Sequence, residues 1–262
     1  MRNDNALREA VERDEPVFGA AAATCSPAVI ETLGDVGMDF VWVDLEHGGP
    51  SPNDTEALEG LARAAAVADT ELLVRLPSPD PHVIRKVLDT GVRTILISRV
   101  DTAAEARRAV DAARFVHEGE PGQRGIGVGR ASGWGARLDG DFVAAEDESV
   151  LVGAMIETRS AVENASEILS VPGLGFVFLG PADLSVSLGR PMETAAEEVR
   201  DAIERVERAA EGSPVALGGI RNDPADVEAA IDEGYRILRV GGDVGAIRTT
   251  LSARLAAIED QR

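Results

Sequence analysis

Short apolar runs recur along the chain, each followed by a stretch in which apolar and charged positions alternate with helical spacing. The runs are 17–23 (VFGAAAA), 40–46 (FVWVDLE), 72–76 (LLVRL), 94–100 (TILISRV), 150–157 (VLVGAMIE), 175–180 (GFVFLG), 214–220 (PVALGGI) and 236–241 (RILRVG). Most are rich in Val, Ile, Leu or Phe, the composition of parallel strands buried on both faces. The intervening segments 54–68, 81–90, 101–115, 159–170, 194–211 and 223–233 read as helices. In 101–115, Ala104, Ala106 and Val110 mix with exposed acids and arginines, and Asp101 is the expected cap. Eight strands with crossover helices predict an α/β fold, the (β/α)8 or TIM barrel, formed by a single domain over residues 1–262. A doubly wound sheet is the alternative, but it would show fewer strands and a glycine-rich fingerprint after the first.

One stretch breaks the alternation. Residues 117–148 are glycine-rich and irregular, and a loop this long inside a compact domain is usually functional. Lying between the fourth and fifth strands, it is expected over the barrel mouth as a lid.

Composition narrows the partners. Asp and Glu number 46 against 26 Lys and Arg, a formal net charge of -20. Nucleic acid and anionic membrane need a positive footprint, so neither is an expected partner. No run approaches the roughly 18 apolar residues of a membrane span, and the charged, helical N-terminus lacks a signal peptide's apolar core. The expectation is a cytoplasmic enzyme acting on small molecules. The acid excess, with Lys86 as the only lysine, suits a halophile whose cytoplasmic salt screens self-repulsion. Cys25 stands alone, which excludes a disulfide framework and a cysteine-based zinc site.

In a barrel, catalysis belongs to the carboxyl ends of the strands and the loops that follow them. There the chain offers Asp44, Glu46 and His47 after the second strand, Arg75 in the third, and Glu157 after the fifth. The sixth runs into Gly180-Pro181-Ala182-Asp183. Glu157 and Asp183 close neighbouring strands and form a hard oxygen pair suited to Mg²⁺ or Mn²⁺; capping the helices that follow is their other reading. Arg75 suits a substrate carboxylate or pairs with a nearby acid. His47 is the one histidine at a strand end, a general acid/base or a hydrogen-bonded structural residue. His82 and His117 are expected at the surface. Lys86 falls inside the helix at 81–90 and should face outward, which argues against a Schiff-base aldolase. No G-x-S-x-G elbow is present for nucleophilic hydrolysis. Gly241-Gly242-Asp243 reads as a turn, with phosphate binding as the alternative.

These residues sit in segments that resemble the HpcH/HpaI family of class II, pyruvate-dependent aldolases. The resemblance rests on VWVDLEHGGPSPND (41–54), the block 74–110, QRGIGVGRASGWG (123–135), MIETRSAVENASEIL (155–169) and GFVFLGPADLS (175–185), in order along nearly the whole chain. It implies reversible cleavage of 4-hydroxy-2-oxo acids, such as 2-dehydro-3-deoxy sugar acids, to pyruvate and an aldehyde through a metal-stabilised enolate. Glu157 and Asp183 match the family's metal ligands, for Mg²⁺, Mn²⁺ or Co²⁺. Arg75 matches the arginine that holds pyruvate, and Gly180, Pro181 and Ala182 the substrate-binding turn. His47 matches the proton-transfer histidine working with a metal-bound water, and Asp44 the acid beside it. Asp89 matches an aspartate that reaches a neighbouring subunit's active site. The resemblance also implies a homohexamer, a trimer of dimers in which the last helix, about 246–259, is exchanged. One departure is Met155, where close aldolases carry Gln; a thioether bonds a ligand only weakly, which leaves the aldehyde preference open. The alternatives are a lyase acting on an acyl-CoA or citrate-like ester, and a non-catalytic barrel sensor.

Overall fold

The computed structural model describes residues 5–260. Eight parallel strands close a barrel in sequence order, each bonded to its neighbours in the chain and the last to the first. They are β1 (Val17–Ala21), β2 (Phe40–Asp44), β3 (Glu71–Leu76), β4 (Thr94–Ile97), β5 (Leu151–Ile156), β6 (Leu174–Leu179), β7 (Ala216–Ile220) and β8 (Tyr235–Gly242). Helices α1 (Ala6–Glu12), α2 (Pro27–Asp35), α3 (Thr55–Val67), α4 (Pro81–Asp89), α5 (Ala103–Ala113) and α6 (Phe142–Ser149) belong to the first half. The second half carries α7 (Arg159–Glu163), α8 (Ala165–Leu169), α9 (Pro181–Ser187), α10 (Glu197–Ala210), α11 (Pro224–Asp232) and α12 (Asp243–Glu259). The expected (β/α)8 barrel is the observed fold. Among the described residues, no helix is long and apolar enough to cross a membrane.

Alternation along the strands divides the buried side chains into two sets. Those facing out, among them Val41, Val43, Val74, Ile95, Val152 and Val177, pack under the helices. Those facing in, among them Phe40, Trp42, Leu73, Leu96, Met155, Phe176, Phe178 and Ile237, fill the barrel. Three phenylalanines occupy this interior because the strand beside each supplies a glycine in register. Phe40 lies against Gly19, Phe176 against Gly153 and Phe178 against Gly218. A Cβ at those glycines would come within 2.4, 2.2 and 2.5 Å of the respective rings. Large and small residues thus interlock, and the interior is packed below its mouth.

Helix α1 closes the amino-terminal end of the barrel. Leu7 and Ala10 join the interior cluster, and the Asn5 amide donates to the carbonyls of Arg93 and Ser149 and to the Thr94 hydroxyl.

The irregular stretch also lies at this end and not over the mouth, contrary to the sequence expectation. It connects the carboxyl end of α5 to the start of β5, so topology delivers it to the floor. It is held there by Arg124 and Arg93, whose Nη2 atoms donate to the two oxygens of Glu146 at 2.9 and 2.7 Å, all three side chains being buried. The Ala131 amide and the Arg130 guanidinium bond the carbonyls of Asp89 and Thr90. The stretch is not wholly irregular: α6 and a small hairpin pairing Val116–His117 with Glu120–Pro121 fall within it.

Local boundaries differ from expectation for identifiable reasons. Thr102, not Asp101, caps α5, through a reciprocal box with Glu105. Asp101 instead accepts from the Thr158 hydroxyl. The helix expected over 159–170 breaks at Asn164, whose amide donates to the Asp101 carbonyl at 2.8 Å. His117 is not a surface group: its side chain is 11% exposed and its Nδ1 lies 2.7 Å from the Asp111 carboxylate. Lys86 is exposed on α4, as expected. In α12 every residue from 244 to 259 is exposed, including Val244, Ile247, Leu251, Leu255 and Ile258.

Candidate active site

The carboxyl ends of β2, β3, β5 and β6 bring together five of the residues singled out from sequence: Asp44, His47, Arg75, Glu157 and Asp183. Arg75 follows Leu73 on the inward face of β3 and is directly in register with Asp44 on β2. Its Nε donates to Asp44 Oδ1 at 2.9 Å and its Nη2 to Oδ2, a two-pronged pairing that fixes the guanidinium plane. Its Nη1 lies 3.1 Å from Glu46 Oε2 and 3.8 Å from the Met155 sulfur. Burial pushes the Arg75 pKa down, but Asp44, Glu46 and Glu157 outweigh it and hold it above the ordinary value. Burial likewise pushes Asp44 up, yet Arg75 and the amides of Glu46 and His47 hold its carboxyl below the usual range. Among the described residues, one of the five N–H bonds of Arg75, on Nη2, has no partner, and the one facing a thioether is weakly engaged. Both remain available to a ligand oxygen.

Glu46 proves central, although sequence reasoning gave it no role. Its Oε2 accepts from the Ser98 hydroxyl at 2.6 Å and from Arg75, and lies 3.6 Å from His47 Nε2. The signal was its place two residues after Asp44, where the chain bends at the end of β2 and the Glu46 amide donates to Asp44 Oδ1 at 3.0 Å. His47 itself is largely exposed at the rim, reached by solvent and by any ligand in the mouth.

Glu157 is buried and, among the described residues, accepts one hydrogen bond, from the Arg99 amide at 2.8 Å. It caps no helix: the Thr158 hydroxyl caps α7, and α9 begins at Gly180 without a side-chain cap, which leaves Asp183 exposed in its first turn. Burial raises the Glu157 pKa first of all; Arg99 opposes this, while Glu46 and Asp183 add to it. The crowding of carboxylates without a cation within 4 Å of Glu157 or Asp183, among the described residues, is the electrostatic setting that a divalent cation relieves. Among those residues, no three His, Cys, Asp or Glu side chains group closely enough to hold a metal by themselves. Glu157 and Asp183 are two carboxylates of the kind that could hold a hard, oxygen-seeking ion, with water and substrate oxygens completing its shell. Gly180 is needed beside Glu157, since a Cβ there would lie 2.9 Å from its Cβ and 3.0 Å from its Oε2.

Two expectations are placed elsewhere. Asp89 ends α4 on the floor, at the opposite end of the barrel from Glu157, packed beneath Gly127 and Gly129. Burial raises its pKa, against the pull of Arg124, Arg85 and Lys86. The Gly241-Gly242-Asp243 turn is not left open for phosphate. Asp243 already fills it, accepting from the amides of Ala23 and Thr24 at 2.9 and 3.0 Å and from the Thr24 hydroxyl at 2.6 Å. A cleft of about 700 Å³ also lies at the amino-terminal end, beside Arg8, Arg114 and Glu207, and none of the candidate residues lines it.

Trp42 and Arg239 were missed altogether. Trp42 points inward on β2 against Phe178, with ring centroids 5.0 Å apart. Arg75 and Arg239 lie against its ring at 5.6 and 5.3 Å from the centroid.

A (β/α)8 barrel whose mouth holds a carboxylate pair, a clamped arginine and a histidine defines the class of metal-assisted barrel enzymes that act on small oxo acids. More particularly, the chain belongs to the HpcH/HpaI aldolase/citrate lyase family, whose model matches residues 20–249. It is 32% identical over 244 residues to the hydroxypyruvate/pyruvate aldolase of Paraburkholderia phytofirmans, covering 92% of each chain. It is 34% identical to the 2-keto-3-deoxy-L-rhamnonate aldolase of Klebsiella pneumoniae, covering 96% of this chain and 92% of that one. The crystal structure of an HpcH/HpaI aldolase/citrate lyase family protein from Burkholderia cenocepacia superposes with a TM-score of 0.90 at 30% identity, over 97% of this chain and 99% of that one.

Proposed function

We propose that the protein is a carbon–carbon lyase of the pyruvate-aldolase type, cleaving 4-hydroxy-2-oxo acids to pyruvate and an aldehyde. The observation that carries the reading is Arg75 locked by Asp44 and Glu46 across the mouth from the Glu157–Asp183 pair. Glu157 and Asp183 would hold a divalent cation, which would supply Lewis-acid polarisation of the 2-oxo group.

The chain's own residues do the rest. Arg75 offers its remaining N–H bonds to the carboxylate and 2-oxo oxygen of the pyruvate half, where negative charge develops. The Gly180-Pro181-Ala182 turn forms the wall beside it. In cleavage, His47 takes the proton of the C4 hydroxyl, the C3–C4 bond breaks, and its electron pair moves to give the pyruvate enolate. Protonation at C3 then releases pyruvate. Asp44 acts through Arg75, fixing its plane. Met155 lies against the Arg75 guanidinium where it leaves an N–H open to substrate.

Asp89 serves a neighbouring copy on this reading, because its own mouth is at the far end of the barrel. The exposed apolar residues of α12 are covered by exchange in the same assembly, a homohexamer. The test is retro-aldol turnover of short 4-hydroxy-2-oxo acids, with pyruvate detected in the presence of Mg²⁺, Mn²⁺ or Co²⁺ and with EDTA. Pyruvate release that EDTA abolishes is the expected result; folded protein that releases none from any of them overturns the reading.

A further inference from the structure

The turn after β4 reaches both halves of the mouth yet takes no part in the cleavage steps. Ser98 and Arg99 follow directly on Ile97, the last residue of β4. The Ser98 amide donates to the Leu76 carbonyl on β3 at 2.9 Å, and the Val100 amide to the Met155 carbonyl on β5 at 3.3 Å, so the turn is tied to both neighbouring strands. Between them Arg99 adopts a φ of +50°, a left-handed conformation unfavourable for a long side chain. That conformation accompanies two contacts to carboxylates on opposite sides. The buried Ser98 hydroxyl donates to Glu46 Oε2 at 2.6 Å, and the Arg99 amide donates to Glu157 Oε1 at 2.8 Å.

The Ser98 contact is the shortest that Glu46 Oε2 makes. Arg75 Nη1 lies 3.1 Å from the same oxygen and His47 Nε2 3.6 Å, a gap that a rotation of the exposed imidazole closes. The Glu46 side chain is largely buried, so little water competes for the place of the hydroxyl. Asp44 does not serve His47 in this way: its oxygens receive two nitrogens of Arg75 and the amides of Glu46 and His47. Among the described residues, Glu46 carries the one carboxylate within 4 Å of a His47 ring nitrogen. We infer that Ser98 is a positioning residue: its hydroxyl seats Glu46 Oε2 between Arg75 and His47, giving the arginine that holds the enolate and the histidine that takes the C4 proton one fixed anionic neighbour. A base oriented by a third group needs that group held in turn. This role rests on the pyruvate-aldolase reading, and the experiment separates the two.

Ser98→Ala removes the donor, and Ser98→Cys keeps nearly the same bulk while donating only weakly. Both are expected to lose about tenfold or more in kcat/KM for a short 4-hydroxy-2-oxo acid, as for a lost hydrogen bond to a charged group, and more in kcat than in KM. Because Ser98 acts through Glu46, Ser98→Ala added to Glu46→Ala should cost less than a further twofold. The same loss in both backgrounds, or unchanged turnover in Ser98→Ala and Ser98→Cys, overturns the assignment and leaves Ser98 as packing. A readout free of turnover is the ring ¹⁵N spectrum of the protein's three histidines, with His47 assigned through His47→Asn. Ser98→Ala and Glu46→Ala should move the His47 signals in the same direction and leave His82 and His117 in place; unmoved His47 signals overturn the assignment. If wild type releases pyruvate from no substrate, the aldolase reading fails, and the His47 signals alone decide whether Ser98 seats Glu46.

Discussion

Replacing Glu146 by Gln should destabilise the protein more than any other single-atom-scale change in the polar network of its floor. The side chain is 1% exposed, and its two oxygens receive Arg93 and Arg124, themselves 5% and 1% exposed. The substitution keeps the shape and one acceptor but removes the only carboxylate within 4 Å of either guanidinium among the described residues. Arg93 Nε and Arg124 Nε and Nη1 already lack hydrogen-bond partners, so the site has no reserve. Breaking a buried ion pair by removing one partner costs about 3–5 kcal/mol. Both pairs share one carboxylate and are coupled, so the two costs do not simply add. For a chain of this size each kcal/mol lowers Tm by roughly 2–4 °C, which places the expected fall at about 6–20 °C. Urea and thermal unfolding followed by circular dichroism would measure it. Because the cluster is buried, the difference should persist in 1 M salt, where exposed pairs are screened. A loss below about 1 kcal/mol, or one that vanishes in salt, would refute the reasoning.

Three further outcomes are expected. Gly153→Ala drives a Cβ to within 2.2 Å of the Phe176 ring and should cost about 1–3 kcal/mol or more, read from the urea midpoint. Asp243→Asn should cost about 2 kcal/mol at neutral pH, since the carboxylate receives several charge-assisted bonds. Burial raises the Asp243 pKa, but Thr24, Val244 and Ala23 outweigh it and hold it low; the stabilisation is therefore full above about pH 4 and is lost as pH falls further, so wild type and variant should converge in acid unfolding. Glu46→Gln loosens Arg75 and the contact to His47, and kcat/KM for a 4-hydroxy-2-oxo acid should fall about tenfold or more with the fold intact; an unchanged value would remove Glu46 from the account.

The barrel was legible because buried parallel strands leave unbroken apolar runs, and Arg75 stood out as a charge inside one of them. Glu157 and Asp183 were legible from their places at the ends of neighbouring strands. Arg239 was equally placed, in RILRVG, but nothing local distinguishes an arginine that faces the interior from one that faces out until Ile237 fixes the register. The glycine-rich stretch was assigned to the wrong end although the helix before it was read to within two residues of its observed end; what was overlooked is that a crossover helix carries the chain from the mouth back to the floor. With the helix ending at Ala113, the chain has already returned to the floor. His117 and Glu146 were hidden for a related reason: their burial depends on partners 6 to 53 residues away, Asp111, Arg124 and Arg93.

The central claim is that this mouth generates the pyruvate enolate, and exchange of pyruvate's methyl protons in D₂O tests it without any choice of aldehyde. Proton NMR should show the methyl signal decaying with enzyme and Mn²⁺ or Mg²⁺, the decay stopping with EDTA and falling at least a hundredfold in Arg75→Met. Pyruvate that keeps its methyl protons beside folded, metal-supplied wild type would contradict the account, as would exchange that continues undiminished in EDTA.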